Sequence, residues 1–302
     1  MIQKRKMLWV NVVFRQTFMV MTAFVGGCLD TYKQTHVYQD EIHHLHIIAP
    51  WLTDVNVKGS DRDDLQVDVT GYFRFKESFK YEKKSTDGTV TVSVNCADEC
   101  NRFFAYLSVE APSTVSVTIE SAANVRVEDV RADVGISTVQ EGNVRLSNIE
   151  GSILVAAEYA DVKVADIDGT VDVTSRFGSV TLRRVQGTTM GAASEKSVPE
   201  AGTTATAVNS VAVFVSQGDI DAASIEGNAL LETDVGDITV DGLAGRLIAK
   251  SRQGHIVVDG SIGDLHLTVS EQGNIIGDDV SCDACTAVTA SGYVDVSAMP
   301  EE

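Results

Sequence analysis

The sequence predicts an all-β fold, a single-chain β-solenoid (β-helix) of 18–19-residue rungs with a β-rich N-terminal cap. Three observations predict it. A Gly-Asp-Ile phrase recurs at a near-constant interval, apolar and polar residues alternate after each recurrence, and a glycine lies nine residues into most units. Alternation at period two is typical of a strand with one buried face. A fixed period near 20 residues indicates stacked structural repeats.

Each repeat unit opens on a restart residue, usually glycine. The eight restart residues are Gly142, Ala160, Gly178, Gly218, Gly236, Gly254, Gly273 and Gly292. The steps between them are 18, 18, 40, 18, 18, 19 and 19 residues, so the long step is one unit plus an insertion of 22 residues. Apolar residues lie two and four positions after almost every restart, with Gly277 as an exception. We expect these side chains to form columns that point into a shared core.

A third apolar column is predicted further along each unit. Its expected members are Ile149, Ile167, Val185, Ile225, Leu243 and Ile262. One unit has too little apolar surface to be stable alone, so neighbouring units must stack and bury these columns together.

The chain divides into three regions by its pattern. Residues 121–298 carry the repeats, and the loop insertion 188–210 is small, polar and turn-rich, so it predicts an excursion from one rung. Residues 42–120 are β-rich without a period, and we expect them to form an N-terminal cap and irregular first rungs that cover the open sheet edge. Residues 1–29 read as a targeting or signal segment.

The targeting segment supports two hypotheses. It contains four basic side chains and no acid, which is typical of a mitochondrial presequence. Its end, "VGGC", is similar to a bacterial lipoprotein cleavage box, which would make Cys28 the lipidated residue. The first hypothesis predicts a mitochondrial protein. The second predicts an exported protein that is lipid-anchored at the cell surface, and only that hypothesis predicts membrane association.

The stretches "LSVEAP" and "TVSVTIESAANVRVEDV", followed by the Gly-Asp-Ile units, resemble the putative adhesin family. The resemblance covers roughly residues 45–298, and an uncharacterised eukaryotic branch of the family is the most similar. It implies a β-solenoid and no known activity. The shared pattern consists of turn glycines and core aliphatic residues, so the resemblance transfers no catalytic residue.

The net charge of the chain indicates which chemical classes of partner it can bind. The chain has 43 acidic and 24 basic side chains and a net charge of −19. Such a surface repels the phosphates of nucleic acid and anionic lipid, so we expect no nucleic-acid partner. A protein or glycan partner remains open, and basic partners or divalent cations suit the charge.

No catalytic or cofactor motif stands out. The sequence lacks a phosphate-binding Gly-Lys-Ser/Thr loop, a Gly-x-Ser-x-Gly elbow and a His-Glu-x-x-His motif, so we predict no enzyme, no catalytic residue and no cofactor. The many aspartates, such as Asp219 and Asp237, are expected to bond backbone N–H groups in turns. His44 and His46 would share one strand face, which is too few ligands for a closed metal site.

Metal binding is left open at two other places. Stacked Asp and Asn turns can offer oxygens to calcium. The motifs "CADEC" and "CDAC" could each supply thiolates, although free thiols or local disulfides fit their spacing better.

Two functions follow from these patterns. The first is a non-enzymatic structural or binding protein that presents a rigid acidic β-solenoid surface to a macromolecular partner, as an adhesin does. The alternative is a carbohydrate-binding or polysaccharide-active β-helix protein, which predicts aromatic platforms or paired acids along one face. Such aromatic residues concentrate only at Tyr72, Phe73, Phe75, Phe79 and Tyr81.

Overall fold

The computed structural model describes residues 30–39, 41–50, 54–73, 79–96, 105–122, 124–187, 210–282 and 284–298. These residues form 23 β-strands and no helix. The strands are β1 (Asp30–Tyr38), β2 (His44–Ala49), β3 (Asp54–Ser60), β4 (Leu65–Phe73), β5 (Phe79–Thr86), β6 (Thr89–Cys96), β7 (Ala105–Pro112), β8 (Ser116–Ser121), β9 (Asn124–Val130), β10 (Val134–Glu150), β11 (Ile153–Asp168), β12 (Val171–Phe177), β13 (Val180–Gln186), β14 (Val211–Gln217), β15 (Ile220–Glu226), β16 (Ala229–Val235), β17 (Ile238–Ala244), β18 (Leu247–Gln253), β19 (Ile256–Asp259), β20 (Leu265–Gln272), β21 (Ile275–Val280), β22 (Cys285–Thr289) and β23 (Val294–Ala298).

The strands stack into two sheets, and each rung contributes one segment to each sheet. Sheet A runs β5-β6-β2-β8, then the first part of β10 and β11, then β12-β14-β16-β18-β20-β22. Sheet B runs β1-β4-β7-β3-β9, then the second part of β10 and β11, then β13-β15-β17-β19-β21-β23. From β6 and β7 onward every pairing is parallel. The predicted β-solenoid is confirmed.

The first rungs do not stack in chain order. The rung formed by β2 and β3 lies between the rung of β6 and β7 and the rung of β8 and β9. Beyond β6 and β7, the stack ends in antiparallel strands: β5 pairs with β6, and β4 and β1 extend sheet B. The N-terminal end of the stack therefore contains antiparallel strand pairs, whereas the repeats pair in parallel.

The core consists of the predicted columns. Ile220, Ile238 and Ile256 lie in register on successive rungs with 0% exposure, and Val240 and Val258 fill the next column in the same way. Gly277 vacates its position in that column, where Val296 and Val280 approach it.

One predicted core residue is wrong. Ile262 is 59% exposed, and Ser261 takes the inward position with 0% exposure. Ser261 lies seven residues after its restart residue Gly254, as Leu243 does after Gly236, so Ser261 holds the third-column position. Ile262 lies one residue further on and pairs with Ala244, which also points outward.

A left-handed residue explains the spacing of the third column. In the sheet-B segments of the repeats, two successive residues point outward before the last core residue, as in the burial pattern of β15. The second of them has positive φ on rung after rung: Asp129, Asn148, Asp166, Arg184, Ser224, Gly242, Gly260 and Asp279. This bulge shifts the alternation by one residue, which is why the third column lies seven residues after the restart rather than six.

Candidate binding surfaces

The turn aspartates are occupied by the backbone of the next rung. Asp219 Oδ1 accepts a hydrogen bond from the Asp237 N–H at 2.9 Å, and Asp237 Oδ1 accepts one from the His255 N–H at 2.7 Å. Asp161 Oδ1 bonds the Ser179 N–H at 3.0 Å in the same way. The predicted turn role is confirmed for these residues, but the bonded N–H lies 18 residues away, one rung along the stack.

Two surface grooves occur next to this turn ladder. One, of about 500 Å³, lies near the C-terminal end and contains one carboxylate, that of Asp237, beside Gln253, His255 and Asn274. The other, of about 290 Å³, also contains one carboxylate. Glycoside hydrolysis needs two opposed carboxyl groups, so neither groove offers that pair.

The histidines and cysteines form separate local contacts. His46 Nε2 lies 3.1 Å from Glu120 Oε1. Partial burial, followed by the charge of His46, lowers the pKa of His44. Cys282 and Cys285 form a local disulfide, whereas Cys28, Cys100 and the side chain of Cys96 lie outside the described residues. Within the described ranges, no group of three or more His, Cys, Asp or Glu side chains is placed to hold a metal ion.

Ion pairs between adjacent rungs bind many cations of the repeats. Arg184 donates to Asp166 at 2.8 Å, and this hydrogen bond lowers the pKa of the Asp166 carboxyl. Further pairs of this kind are Arg176–Glu158, Lys250–Glu232 and Arg252–Glu271. Exposed pairs contribute at most about 1 kcal/mol each, so their main effect is to neutralise charge on these faces.

Three cations on the outer face of sheet B depart from this pattern. Arg145 and Lys163 lie in register on neighbouring rungs, and Arg183 lies on the next rung, in register with Ala165. We call these three residues the cationic row. All three are exposed, and within the described part of the chain their side chains make no ion pair or hydrogen bond.

The 290 Å³ groove adjoins the cationic row. Its lining is Asp54, Val55, Asn56, Asn124, Val125, Arg126, Asn143 and Arg145, and we call it the Asn groove. Asn124 Nδ2 donates to Asp54 Oδ1 at 2.9 Å, and the Asn143 N–H donates to Asn124 Oδ1 at 3.0 Å. Asn56 Oδ1 is buried with no hydrogen-bond partner, which costs about 1–3 kcal/mol unless a ligand or water supplies a donor.

The outer face of sheet A carries an apolar patch. Leu154, Ala212, Leu230 and Ile248 occupy one outward column, interrupted only by Asp172, and Ala156 and Phe214 lie in the column beside it. Leu154 is 58% exposed and Phe214 is 37% exposed. Leu230 and Ile248 are half-buried in the same column. Exposed apolar side chains that cluster on a sheet are a candidate contact surface.

The chain matches one protein family over most of its length. Residues 42–269 match the family model described as Toastrack DUF4097. The chain belongs to this family. No curated protein matches the chain. The assignment to a eukaryotic branch stays a prediction.

The solved structures that resemble this chain are distant in sequence. One, described as a putative adhesin from Bacteroides fragilis, is 13% identical, with a TM-score of 0.47 over 89% of this chain and 99% of that one. A putative adhesin from Parabacteroides distasonis is 15% identical, with a TM-score of 0.44 over 89% of this chain and 98% of that one.

Sequence reasoning missed the aromatic ladder of this Toastrack chain. Tyr159 and Phe177 stack with ring centroids 4.9 Å apart, and the Arg176 guanidinium lies 5.1 Å from the Phe177 centroid. Their spacing of 18 residues is the signal that could have found them. The aromatic concentration predicted from Tyr72 to Tyr81 lies where no side chain is described.

Asp172 places a carboxylate in the apolar patch of the Toastrack chain. We therefore expect the stability of the folded state to depend on pH. Partial burial raises the pKa of Asp172. The folded state therefore holds this proton more tightly than the unfolded chain, so the stabilisation is present at low pH and is lost as pH rises through the folded pKa.

We expect Asp172→Asn to raise the melting temperature at pH 7, with a difference that shrinks as the pH falls towards about 4, the ordinary range of an unfolded aspartate. Asp221→Asn, on the other sheet, is the matched control. A difference that stays constant from pH 7 to pH 4 would contradict this assignment.

Within the described residues, no helix is long and apolar enough to cross a membrane.

Proposed function

We propose that this protein is a non-enzymatic structural and binding protein that presents a lateral face of its rigid solenoid to a macromolecular partner, in an adhesin-like role. The observation that carries the proposal is the apolar patch on sheet A. Its side chains point outward from neighbouring rungs, with Leu154 and Phe214 exposed and Leu230 and Ile248 half-buried, and their strands are hydrogen-bonded on both sides.

The fold makes this patch a preformed surface. Parallel rungs lie about 4.8 Å apart, and the inward columns fix which side chains point outward. Because the face is already ordered, little conformational entropy is lost when a partner docks on it, which favours affinity. Because the patch is apolar and flat, we propose a protein partner for it.

The composition predicts an acidic surface. We propose that this acidic surface lies at one end of sheet B. Asp241, Asp259 and Asp278 lie in register on the outer face of the last rungs. The cationic row lies on earlier rungs of the same face. We propose that the acidic end speeds the approach of a basic partner, while the apolar patch on the other sheet makes the contact that holds it, so that retention depends on the patch.

The test compares two double variants that add the same charge. Leu154→Lys with Phe214→Lys changes the apolar patch, and Thr181→Lys with Thr239→Lys changes the outer face of sheet B. Each is used to capture partners from extract of the native cell, with quantitative mass spectrometry. We expect a reproducible partner that the sheet-A variant loses and the sheet-B variant keeps. Equal loss with both variants, or equal capture by an unrelated protein of the same charge, would refute the proposal.

We propose that the chain is exported, with lipidated Cys28 as its anchor, in preference to the mitochondrial hypothesis. The Cys282–Cys285 disulfide supports an oxidising compartment, where such bonds persist. Both hypotheses rest on residues 1–29, which lie outside the described residues. Mass spectrometry of the mature N-terminus decides between them: a lipidated Cys28 supports export, and an unmodified start after a cut within residues 15–30 supports mitochondrial import.

A further inference from the structure

We infer that the cationic row and the Asn groove on sheet B form a binding site for an anionic oligosaccharide. The site extends beyond the proposed protein contact because it uses the outer face of the other sheet. The carboxylate or sulfate groups of the sugar would bind Arg145, Lys163 and Arg183, and its hydroxyl groups would bind the amides of the groove.

The charge of the cationic row is the first feature that favours an anionic ligand. The chain carries a large surplus of acid, yet none of the described carboxylates pairs with the cationic row. Four other cations of the repeats are each held by a carboxylate one rung away, namely Arg176, Arg184, Lys250 and Arg252. Arg145 and Lys163 lie in register on adjacent strands, which are about 4.8 Å apart, so their like charges repel each other until an anion lies over them.

The surface around the cationic row is flat, which is the second feature that favours an extended anionic ligand. Ser147 and Ala165 lie in register on this face, and Thr181 follows Lys163 on the next rung. These small side chains leave a flat floor beside the cations. A chain that crosses the rungs can therefore place successive anionic groups against successive cations.

The Asn groove supplies polar groups beside the cationic row, which is the third feature. It combines three asparagine side chains with the carboxylate of Asp54 and the guanidinium groups of Arg126 and Arg145. Amide, carboxylate and guanidinium groups supply the donors and acceptors that sugar hydroxyls need. Arg126 is already bound to Glu128 at 2.8 Å, which leaves Arg145 as the guanidinium available to an anion. The unsatisfied Asn56 Oδ1 is an acceptor that suits a hydroxyl donor rather than a second anion.

Other polyanions fit the site less well. Single-stranded nucleic acid is held by aromatic side chains that stack on its bases, and the described outward positions of β9–β11 and β13 on this face carry none. The cationic row spans three rungs, or about 10 Å, and beyond it the same face turns acidic at Asp221. A long duplex or a charged membrane would meet that repulsion, whereas a short saccharide would not.

The test measures binding of a galacturonic acid tetramer to the full chain by isothermal titration calorimetry at low and physiological salt. Arg145→Gln with Lys163→Gln removes two cations of the row. Lys250→Gln with Arg252→Gln removes the same charge from sheet A and serves as the matched control. Circular dichroism confirms that each variant is folded, and a neutral galactose tetramer tests the need for the anion.

We expect the acidic tetramer to bind the parent and the control equally, and the row variant at least about tenfold more weakly, because two charge-assisted contacts are lost. The neutral tetramer should bind weakly or not at all. Absence of binding to the parent, equal binding to all variants, or tighter binding of a single-stranded DNA oligomer or of phosphatidylglycerol vesicles would overturn the inference. Capture through the apolar patch is measured separately, so either proposal can fail without the other.

Discussion

Val240→Asp is expected to abolish the cooperative fold or to destabilise it by about 3–5 kcal/mol, because it places an unpaired carboxylate between rungs. Val240 is 0% exposed and lies in register between Ala222 and Val258. The surrounding side chains are aliphatic, and no described cation points into the core. Urea denaturation followed by circular dichroism measures the loss.

The matched control for this variant is the neighbouring residue. Thr239 is exposed on the outward side of the same strand, so Thr239→Asp introduces the same carboxylate into water. We expect its stability to stay within about 0.5 kcal/mol of the parent. Equal stability of the Val240→Asp and Thr239→Asp variants would show that the inward columns are assigned to the wrong face.

Gly236→Ala is the second change with a large expected effect, about 2–3 kcal/mol of destabilisation. Gly236 has φ +151°, which L side chains rarely adopt, and an added Cβ would overlap the carbonyl oxygen of Gly218 on the preceding rung. The two rungs would have to separate at that corner, which weakens the hydrogen bonds between them. Thermal denaturation by calorimetry measures the effect.

Gly242→Asn separates close approach from backbone conformation. Gly242 also has positive φ, +67°, but no atom lies within 4 Å of an added Cβ. Asn148 and Asp166 hold the equivalent position on other rungs. We therefore expect a change of about 1 kcal/mol or less. If both glycine variants lose the same stability, the close contact between rungs is not the reason for the restart glycines.

The repeats could be predicted because parallel stacking in register makes residues 18 or 19 apart equivalent. Val240 and Val258 occupy the same place on two rungs, so the sequence shows their role twice. The order of the first rungs could not be predicted, because β2, β6 and β8 have the same alternation and nothing local fixes which strands are neighbours. The bulge does carry a composition signal, because six of its eight residues are Asp, Asn or Gly, the types that tolerate positive φ, and only Arg184 and Ser224 depart from it.

The candidate surfaces were predicted less completely than the fold. The role of Asp219 and Asp237 in turns follows from residue type, but their bond to the next rung depends on the stack. The cationic row is spread over three units of the sequence, and it becomes one surface only when the register places Arg145 beside Lys163. Its lack of ion pairs is a property of side-chain placement, which the alternation of strands does not fix.

The proposed function requires that a partner binds a lateral face of the solenoid. The most direct measurement places a photo-reactive amino acid at Phe214 on sheet A, at Thr239 on sheet B, or at Val288 on the last rung, and identifies cross-linked partners by mass spectrometry. We predict cross-links to a protein partner from position 214, and few from 239 or 288. Cross-links that come only from position 288 would contradict the proposed function, because they would place the contact at the end of the stack.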